Sequence, residues 1–378
     1  MIVMALDHVR DFVHRGAMSQ SPTDLATTTT VLFITRWVTH FCAPVFMLTA
    51  GLGAYFYLNG GRTTGQLSRF LVTRGLWLIF LELTVMQFAY NFDVSSNDPI
   101  FLLVLWVLGA CMIILAGLIW LPITWLAVLS VATIVLHHLL DGIRAQTLGS
   151  LGPVWTLLHQ VGAFPFVGRI FIAAYSLIPW LAVMAMGFCL GPIFAREPDQ
   201  RRRMLIRIGF GMTIAFVVVR ALNVYGDPSR WSTQPSAMFT TLSFLNTTKY
   251  PPSLAFLMMT LGPAMIALSF LDGVKFSRSN PLIVFGRVPL FYFIIHFFAA
   301  HAAIVVLAVM TYGTSALGFM SQPVPSMGGP AKAFPPDFGY DLWVVYAVWM
   351  AIVIALYPLC AWFARIKERR IDWWLSYL

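Results

Sequence analysis

Long apolar runs separated by short polar clusters dominate the chain. Runs of roughly 17 to 30 residues, enough to cross about 30 Å of hydrocarbon as a helix, recur at 30–58, 69–91, 100–119, 122–140, 168–195, 204–223, 253–271, 281–310 and 341–364, after a shorter candidate span at 1–14. The pattern predicts an all-α, polytopic integral membrane helical bundle of about ten transmembrane helices, forming a single domain over residues 1–378. Gly-, Pro- and Ser-rich stretches such as QPVPSMGGPAKAFPP at 322–336 fall between the runs and read as loops. No internal repeat is visible, so a transporter built from obvious inverted repeats is not supported. One run is short, because from Met1 to His14 a helix extends only about 21 Å at about 1.5 Å per residue. The first helix is therefore expected to be cut short, with the natural chain beginning upstream of Met1.

Composition agrees with this reading. With 59% hydrophobic and 10% charged residues, the chain is too apolar for a soluble protein of 378 residues. Its formal charge of +9 lies in loops between apolar runs, where the positive-inside rule explains it, and no nucleic-acid partner is expected. Thirteen Lys and Arg residues fall on loops 59–69, 196–207 and 272–280 and the tail 365–378, against six on the opposite set (Arg15, Arg144, Arg169, Arg230, Lys249 and Lys332). That asymmetry places both termini in the cytoplasm and turns the longer loops outward. Cys42, Cys111, Cys189 and Cys360 stand singly in apolar segments, without disulfide or zinc-site spacing. The first apolar run leads into charge rather than into a small-residue cleavage site, so no cleavable signal peptide is read.

The opening LDHVRDF places Asp7, His8, Arg10 and Asp11 inside an apolar run. Ionisable groups are costly in hydrocarbon, and a cluster of them points to function. By helical depth, His8, Arg36, His40 and Glu82 share one layer between the outer half and the centre, whereas Arg74 and Arg287 lie near the cytoplasmic ends of their helices. Those two suit an anionic ligand entering from inside. Asp11 shares a side of helix 1 with both Asp7 and His8, while Asp7 and His8 point about 100° apart. The histidine pKa suits proton abstraction near neutrality, which makes His8 the natural general base. Alternatively, Asp7, Arg10 and Asp11 merely neutralise one another at a helix end and Arg36 only holds the bundle.

Pro44 follows Arg36 and His40 in RWVTHFCAPVFMLTAG, which frees a backbone carbonyl near His40 and ends in small residues that allow close packing. Lys249 stands before a helix start at Pro251-Pro252-Ser253, and His296 lies deeper than Arg287 in FGRVPLFYFIIH. His137 and His138 are adjacent and so point apart, and His296 and His301 also diverge. Neither pair has metal-site spacing, and no metal is expected. The glycines of GFGMTI (209–214) follow no strand, which excludes a dinucleotide fingerprint.

Together, LDHVRDF, RWVTHFCAPVFMLTAG, RFLVTRGLWLIFLEL, TTKYPPSL and FGRVPLFYFIIH, in this order, resemble the bacterial branch of the heparan-α-glucosaminide N-acetyltransferase family, within the wider superfamily of transmembrane acyltransferases. The resemblance implies transfer of an acyl group, commonly acetyl from cytoplasmic acetyl-CoA, to a hydroxyl or amine of a carbohydrate across a bacterial inner membrane. By it, His8 stands where superfamily members carry a helix 1 catalytic histidine, flanked by Asp7 and Asp11. In the animal enzyme the histidine lies further along the following loop, which would make His14 or His40 the base.

The resulting expectation is an acyl-CoA-dependent acetyltransferase. Arg74 and Arg287 take the phosphates, His8 acts as base with Asp7 and Asp11 beside it, and Arg10, Arg36, His40, Glu82, Lys249 and His296 line the substrate site. The expected partners are the bilayer, the acyl-CoA donor and an envelope or extracellular carbohydrate acceptor, with a homo-oligomer left open. The rival is a proton-coupled solute transporter lined by the same residues.

Overall fold

The computed structural model describes residues 1–92, 99–370 and 372–377. Helices carry most of them. In chain order they are α1 (Ile2–Val13), α2 (Thr30–Thr39), α3 (Cys42–Asn59), α4 (Thr64–Leu81), α5 (Gln87–Asn91), α6 (Val104–Leu118), α7 (Ile123–Leu136) and α8 (Gly152–Leu158). They continue with α9 (Leu177–Phe194), α10 (Pro198–Leu222), α11 (Ala237–Leu245), α12 (Leu254–Leu271), α13 (Pro281–Arg287), α14 (Pro289–Tyr312), α15 (Ala316–Phe319) and α16 (Leu342–Arg369). Among the described residues, eight helical stretches are long and apolar enough to cross a membrane, and α6 is a shorter apolar helix. The chain is an all-α polytopic membrane protein, as the apolar pattern predicts.

Two helix breaks follow directly from proline chemistry. Pro44 sits in the first turn of α3, where its missing N–H costs nothing, and its ring excludes the helical carbonyl of His40. The helix accordingly ends at Thr39 and restarts at Cys42. Likewise Val288, which precedes Pro289, leaves helical geometry and separates α13 from α14.

Two expected spans are corrected at their starts, since the run at 100–119 opens with a strand and is helical only from Val104. The run at 168–195 is helical only from Leu177, and ahead of it a small sheet forms from β1 (Ile100–Leu102), β2 (Gly162–Phe166) and β3 (Arg169–Ala173), in the order β1-β3-β2. Val167 and Gly168 both adopt positive φ, the geometry that closes a two-residue hairpin with the twist of its strands. Hydropathy does not separate such a strand from a helix that continues the same apolar run.

The chain folds as two compact units. One comprises residues 1–42, 84–98 and 275–378, and the other residues 43–83 and 99–274. In the first, α1 packs against α14 and α16 with Ala5, Val9, Phe12 and Val13 fully buried. The Trp349 indole donates to the carbonyl of Ile2 at 2.9 Å. At the other end of the helix, the Tyr340 amide donates to Val13 and the Arg15 amide to Tyr340. The first helix is thus held at both ends.

The second unit rests on glycine crossings, where backbones approach closely because no side chain intervenes. A Cβ on Gly51 of α3 would lie 1.8 Å from the carbonyl oxygen of Met184 in α9, and one on Gly187 would lie 2.0 Å from that of Leu48. Gly75 and Gly109 bring α4 and α6 together in the same way. At one end of α10, Arg201 donates twice to Asp272, at 2.9 and 2.8 Å, and ties α10 to the residue after α12. That guanidinium holds the Asp272 carboxyl below the usual carboxylate range.

Two outcomes follow. Gly187→Val should cost roughly 1–3 kcal/mol or more through overpacking, read as loss of monodisperse protein or a lower melting temperature in detergent. Gly53→Ala, whose Cβ meets no atom within 4 Å, should leave both unchanged. Because folding depresses the Asp272 pKa, the stabilisation from its pair with Arg201 is complete above the ordinary carboxylate range and is lost as pH falls through the folded pKa. Asp272→Asn should therefore lower stability near neutral pH by about 1–2 kcal/mol, and the gap from wild type should close on acidification below about pH 4.

Candidate functional site

The charged residues of α1 divide into two groups according to the helical turn. Asp7 is 7% exposed, and its Oδ1 accepts from Arg10 at 2.9 Å and from the Thr39 hydroxyl at 3.0 Å. Its Oδ2 accepts from Arg36 in a short ion pair. Arg10 also reaches Asp11 at 2.7 Å, and the Ser326 hydroxyl donates to the Asp11 carbonyl. Asp7, Arg10, Asp11 and Arg36 are thus one neutralising network between α1 and α2.

About 100° round the helix, half-buried His8 faces α14. Its ring centre lies 4.1 Å from that of Phe297, 5.2 Å from His296 and 6.2 Å from Phe293. The structure therefore joins two predicted residues, His8 and His296, that are far apart in sequence. His296 is fully buried, and its Nδ1 donates to the Tyr292 carbonyl at 2.8 Å. That bond fixes Nε2 as the lone-pair nitrogen, and Nε2 is buried without a hydrogen-bond partner among the described residues. An imidazole with one nitrogen unpartnered beside a second imidazole, walled by phenylalanines, is suited to receiving or passing a proton. His301, five residues on, diverges as expected: it stacks on Phe92 at 3.8 Å and bonds the Ala89 carbonyl. His40 is buried at the break between α2 and α3.

A cavity of about 590 Å³ opens beyond the C-terminal end of α1, lined among others by His14, Arg15, Phe334, Phe338 and Asp341. His14 Nδ1 is buried there without a hydrogen-bond partner among the described residues. Arg287 is exposed and ion-paired with Glu368, whose carboxylate also lies 3.7 Å from Arg278. The structure therefore gives Arg287 a carboxylate partner that an anionic ligand would have to displace.

In the second unit, Glu82 is fully buried at the start of a π-helical turn (Glu82–Met86), and its Oε2 accepts from the amides of Leu105 at 2.8 Å and Trp106 at 3.1 Å. These are orphan donors of the first turn of α6, so the carboxylate caps that helix within the bundle. Arg74 stacks near Phe70, 5.9 Å from its ring centre. Lys249 is 8% exposed and lies 5.0 Å from the centre of the Tyr250 ring, which meets Tyr175 edge-on. Ser253 caps α12 through the Phe256 amide, as its sequence pattern predicts.

The hub that presents Lys249 is Asp227, which the apolar pattern does not single out. Its carboxylate accepts from the Thr248 amide and hydroxyl, both at 2.9 Å, and from the Ser253 hydroxyl at 2.6 Å. Beside it, Arg220 donates to the carbonyls of Ser229, Ser243, Phe244 and Asn246. The available signal was a lone arginine inside an apolar run, VVVRAL.

A family profile described as heparan-alpha-glucosaminide N-acetyltransferase, catalytic, matches residues 4–227. That region includes His8, Arg36, His40, Arg74 and Glu82, and it ends before Lys249, Arg287 and His296. Comparison with curated proteins and with solved structures gave no match.

Glu82→Ala leaves two buried amide protons unmade, at roughly 1–3 kcal/mol per group. A clear fall in melting temperature is expected, with a smaller fall for Glu82→Gln, which keeps a carbonyl acceptor. Lost activity at wild-type stability in Glu82→Ala would instead assign Glu82 to ligand binding.

Proposed function

Because the chain belongs to the heparan-alpha-glucosaminide N-acetyltransferase family over its catalytic region, we propose that it moves an acetyl group from cytoplasmic acetyl-CoA to a hydroxyl or amine of a carbohydrate across the membrane. The observation that carries this reading is the approach of His8 on α1 to His296 on α14, at 5.2 Å between ring centres, inside an aromatic pocket. In the proposed step, His8 removes the acceptor's proton as its oxygen or nitrogen attacks the thioester carbonyl. The tetrahedral intermediate then collapses, expelling the CoA thiolate, which takes that proton from His8 and leaves the imidazole neutral. His296, with its Nε2 lone pair unused beside the His8 ring, is placed to accept a hydrogen bond from the protonated imidazole.

Arg36 is held by Asp7 one turn from Thr39, so its guanidinium is a preformed cation for the oxyanion, a role that needs donors fixed before reaction. Arg287 is assigned to the donor's phosphates, with Glu368 giving way to the anion; Arg74, in the other unit, is a separate candidate for anion binding. The acceptor sugar is assigned to the cavity at His14, where Phe334 and Phe338 offer apolar faces and Arg15 and Asp341 offer polar groups. His40 is kept as a further substrate contact, and Lys249, in the other unit, as a separate candidate. The cation bias of the loops supports cytoplasmic termini in an envelope membrane.

A second base is favoured by one observation, the place of His14 in the lining of that cavity. Acetyl transfer from acetyl-CoA to a hexosamine acceptor, measured in proteoliposomes, separates the two. His8→Ala should lower the rate by about 10²–10⁴-fold, the usual weight of a general base, while acetyl-CoA binding persists. Full activity in His8→Ala with loss in His14→Ala would move the base to His14. Arg287→Ala should weaken acetyl-CoA binding at unchanged stability. Wild-type protein that neither binds acetyl-CoA nor transfers acetyl, while moving solute in response to pH, would replace the enzyme by the transporter.

A further inference from the structure

His137 and His138, expected from their spacing to diverge on an α-helix, are brought together instead. α7 ends at Leu136 and the chain tightens into a 3₁₀ turn over His137–Leu140, which sets the two imidazoles 4.1 Å apart between ring centres. Asp141 follows that turn. One ligand atom from each of His137, His138 and Asp141 lies within 4.8 Å of the other two. His159, after α8, adds a fourth group: its Nε2 is 3.6 Å from Asp141, and its ring centre is 5.6 Å from that of His137.

The polar groups here are left incomplete in one direction. His137 is 2% exposed, and neither ring nitrogen makes a hydrogen bond of good geometry among the described residues, the Pro252 carbonyl being the one acceptor beside it. A neutral imidazole offers one N–H and one lone pair, and burying both unmade is costly. His159 Nδ1 is in the same condition. Asp141, by contrast, keeps 31% of its side chain exposed and leaves the cluster a route to solvent.

We propose that His137, His138 and Asp141 bind a divalent transition-metal ion of the zinc type, with His159 as the fourth ligand. Imidazole nitrogens with one carboxylate are the donor set of such ions, whereas magnesium and calcium take oxygen donors. Bonds of about 2.0–2.2 Å require a slightly tighter cluster than the one present, which rotation of the side chains supplies.

The proton balance gives the site a consequence. The Leu254 amide donates to His138 Nε2 at 3.1 Å, so that ring carries its proton on Nδ1, which donates to Asp141 at 2.8 Å. An ion bound at Nδ1 moves this proton to Nε2, the ring stays neutral, and the contact with Leu254 ends. His159 shifts its proton in the same sense, from Nε2, where it now meets the His137 carbonyl at 2.9 Å, to Nδ1. Metal occupancy is thereby coupled to the first turn of α12, directly after the Lys-Tyr-Pro-Pro-Ser turn that presents Lys249. The site stands independently of the acyl-transfer reading.

The test is metal analysis of untagged protein purified in detergent without chelator, combined with Co²⁺ titration read by visible absorption. About one zinc ion per chain is expected after loading, with a tetrahedral Co²⁺ spectrum that zinc abolishes. His137→Gln and Asp141→Asn should each weaken binding about tenfold or more, while His301→Gln, a buried histidine elsewhere in the chain, retains it. Absence of saturable binding by the wild type, or unchanged binding in both variants, would overturn the site. Comparing the unfolding temperature of metal-free and zinc-loaded wild type needs no variant: zinc should raise it, and no shift would count against the proposal.

Discussion

A carboxylate placed among apolar helices must be neutralised where it stands, because its charge alone is not tolerated there. Asp7 meets that demand by drawing Arg10, Arg36 and Thr39 onto its two oxygens. The constraint does more than neutralise charge, since it fixes the rotation of α1 about its own axis. With Asp7 turned to α2, the next residue is turned through about 100° toward α14, and that residue is His8. The aromatic surface of Phe293 and Phe297, and the imidazole of His296, then form its surroundings. Hydrogen bonds at both ends of α1 fix its position along the axis as well.

The second unit obtains its order differently. Gly51, Gly75, Gly109 and Gly187 let backbones touch where any side chain would collide with a carbonyl. Polar groups buried by that close packing are used as caps and hubs. Glu82 takes the amides at the start of α6, and Asp227 gathers the turn that carries Lys249. Each charge sits where backbone donors or carbonyls would otherwise be unsatisfied.

Much of this was legible in the sequence, and for physical reasons. Apolar runs of bilayer length specify helices almost without competition, because every backbone group must be satisfied within the segment. The Ser253 cap sets a boundary by local hydrogen bonding, which acts over only a few residues, whereas Pro44 and Pro289 break runs that hydropathy reads as single spans. The divergence of Asp7 from His8 follows from helical geometry alone. The meeting of His8 with His296 does not, since it depends on which face of α14 turns inward. The hairpin at Val167-Gly168 was hidden because a strand and a helix can share one apolar run. The approach of His137 to His138 is not legible, because residue spacing does not show that the chain there winds more tightly than an α-helix. Arg220 and Asp227 act through backbone carbonyls and amides, partners that carry no mark in the sequence.

Acyl transfer is proposed at His8, on the face of α1 turned away from the Asp7 network. The most direct measurement is a structure of the full chain with acetyl-CoA bound. The thioester carbonyl carbon is predicted to lie close to the His8 imidazole, with room for an acceptor atom about 3–3.5 Å away and with His296 behind the ring. A thioester seated instead at His14, with His8 still packed against Phe297, would contradict it.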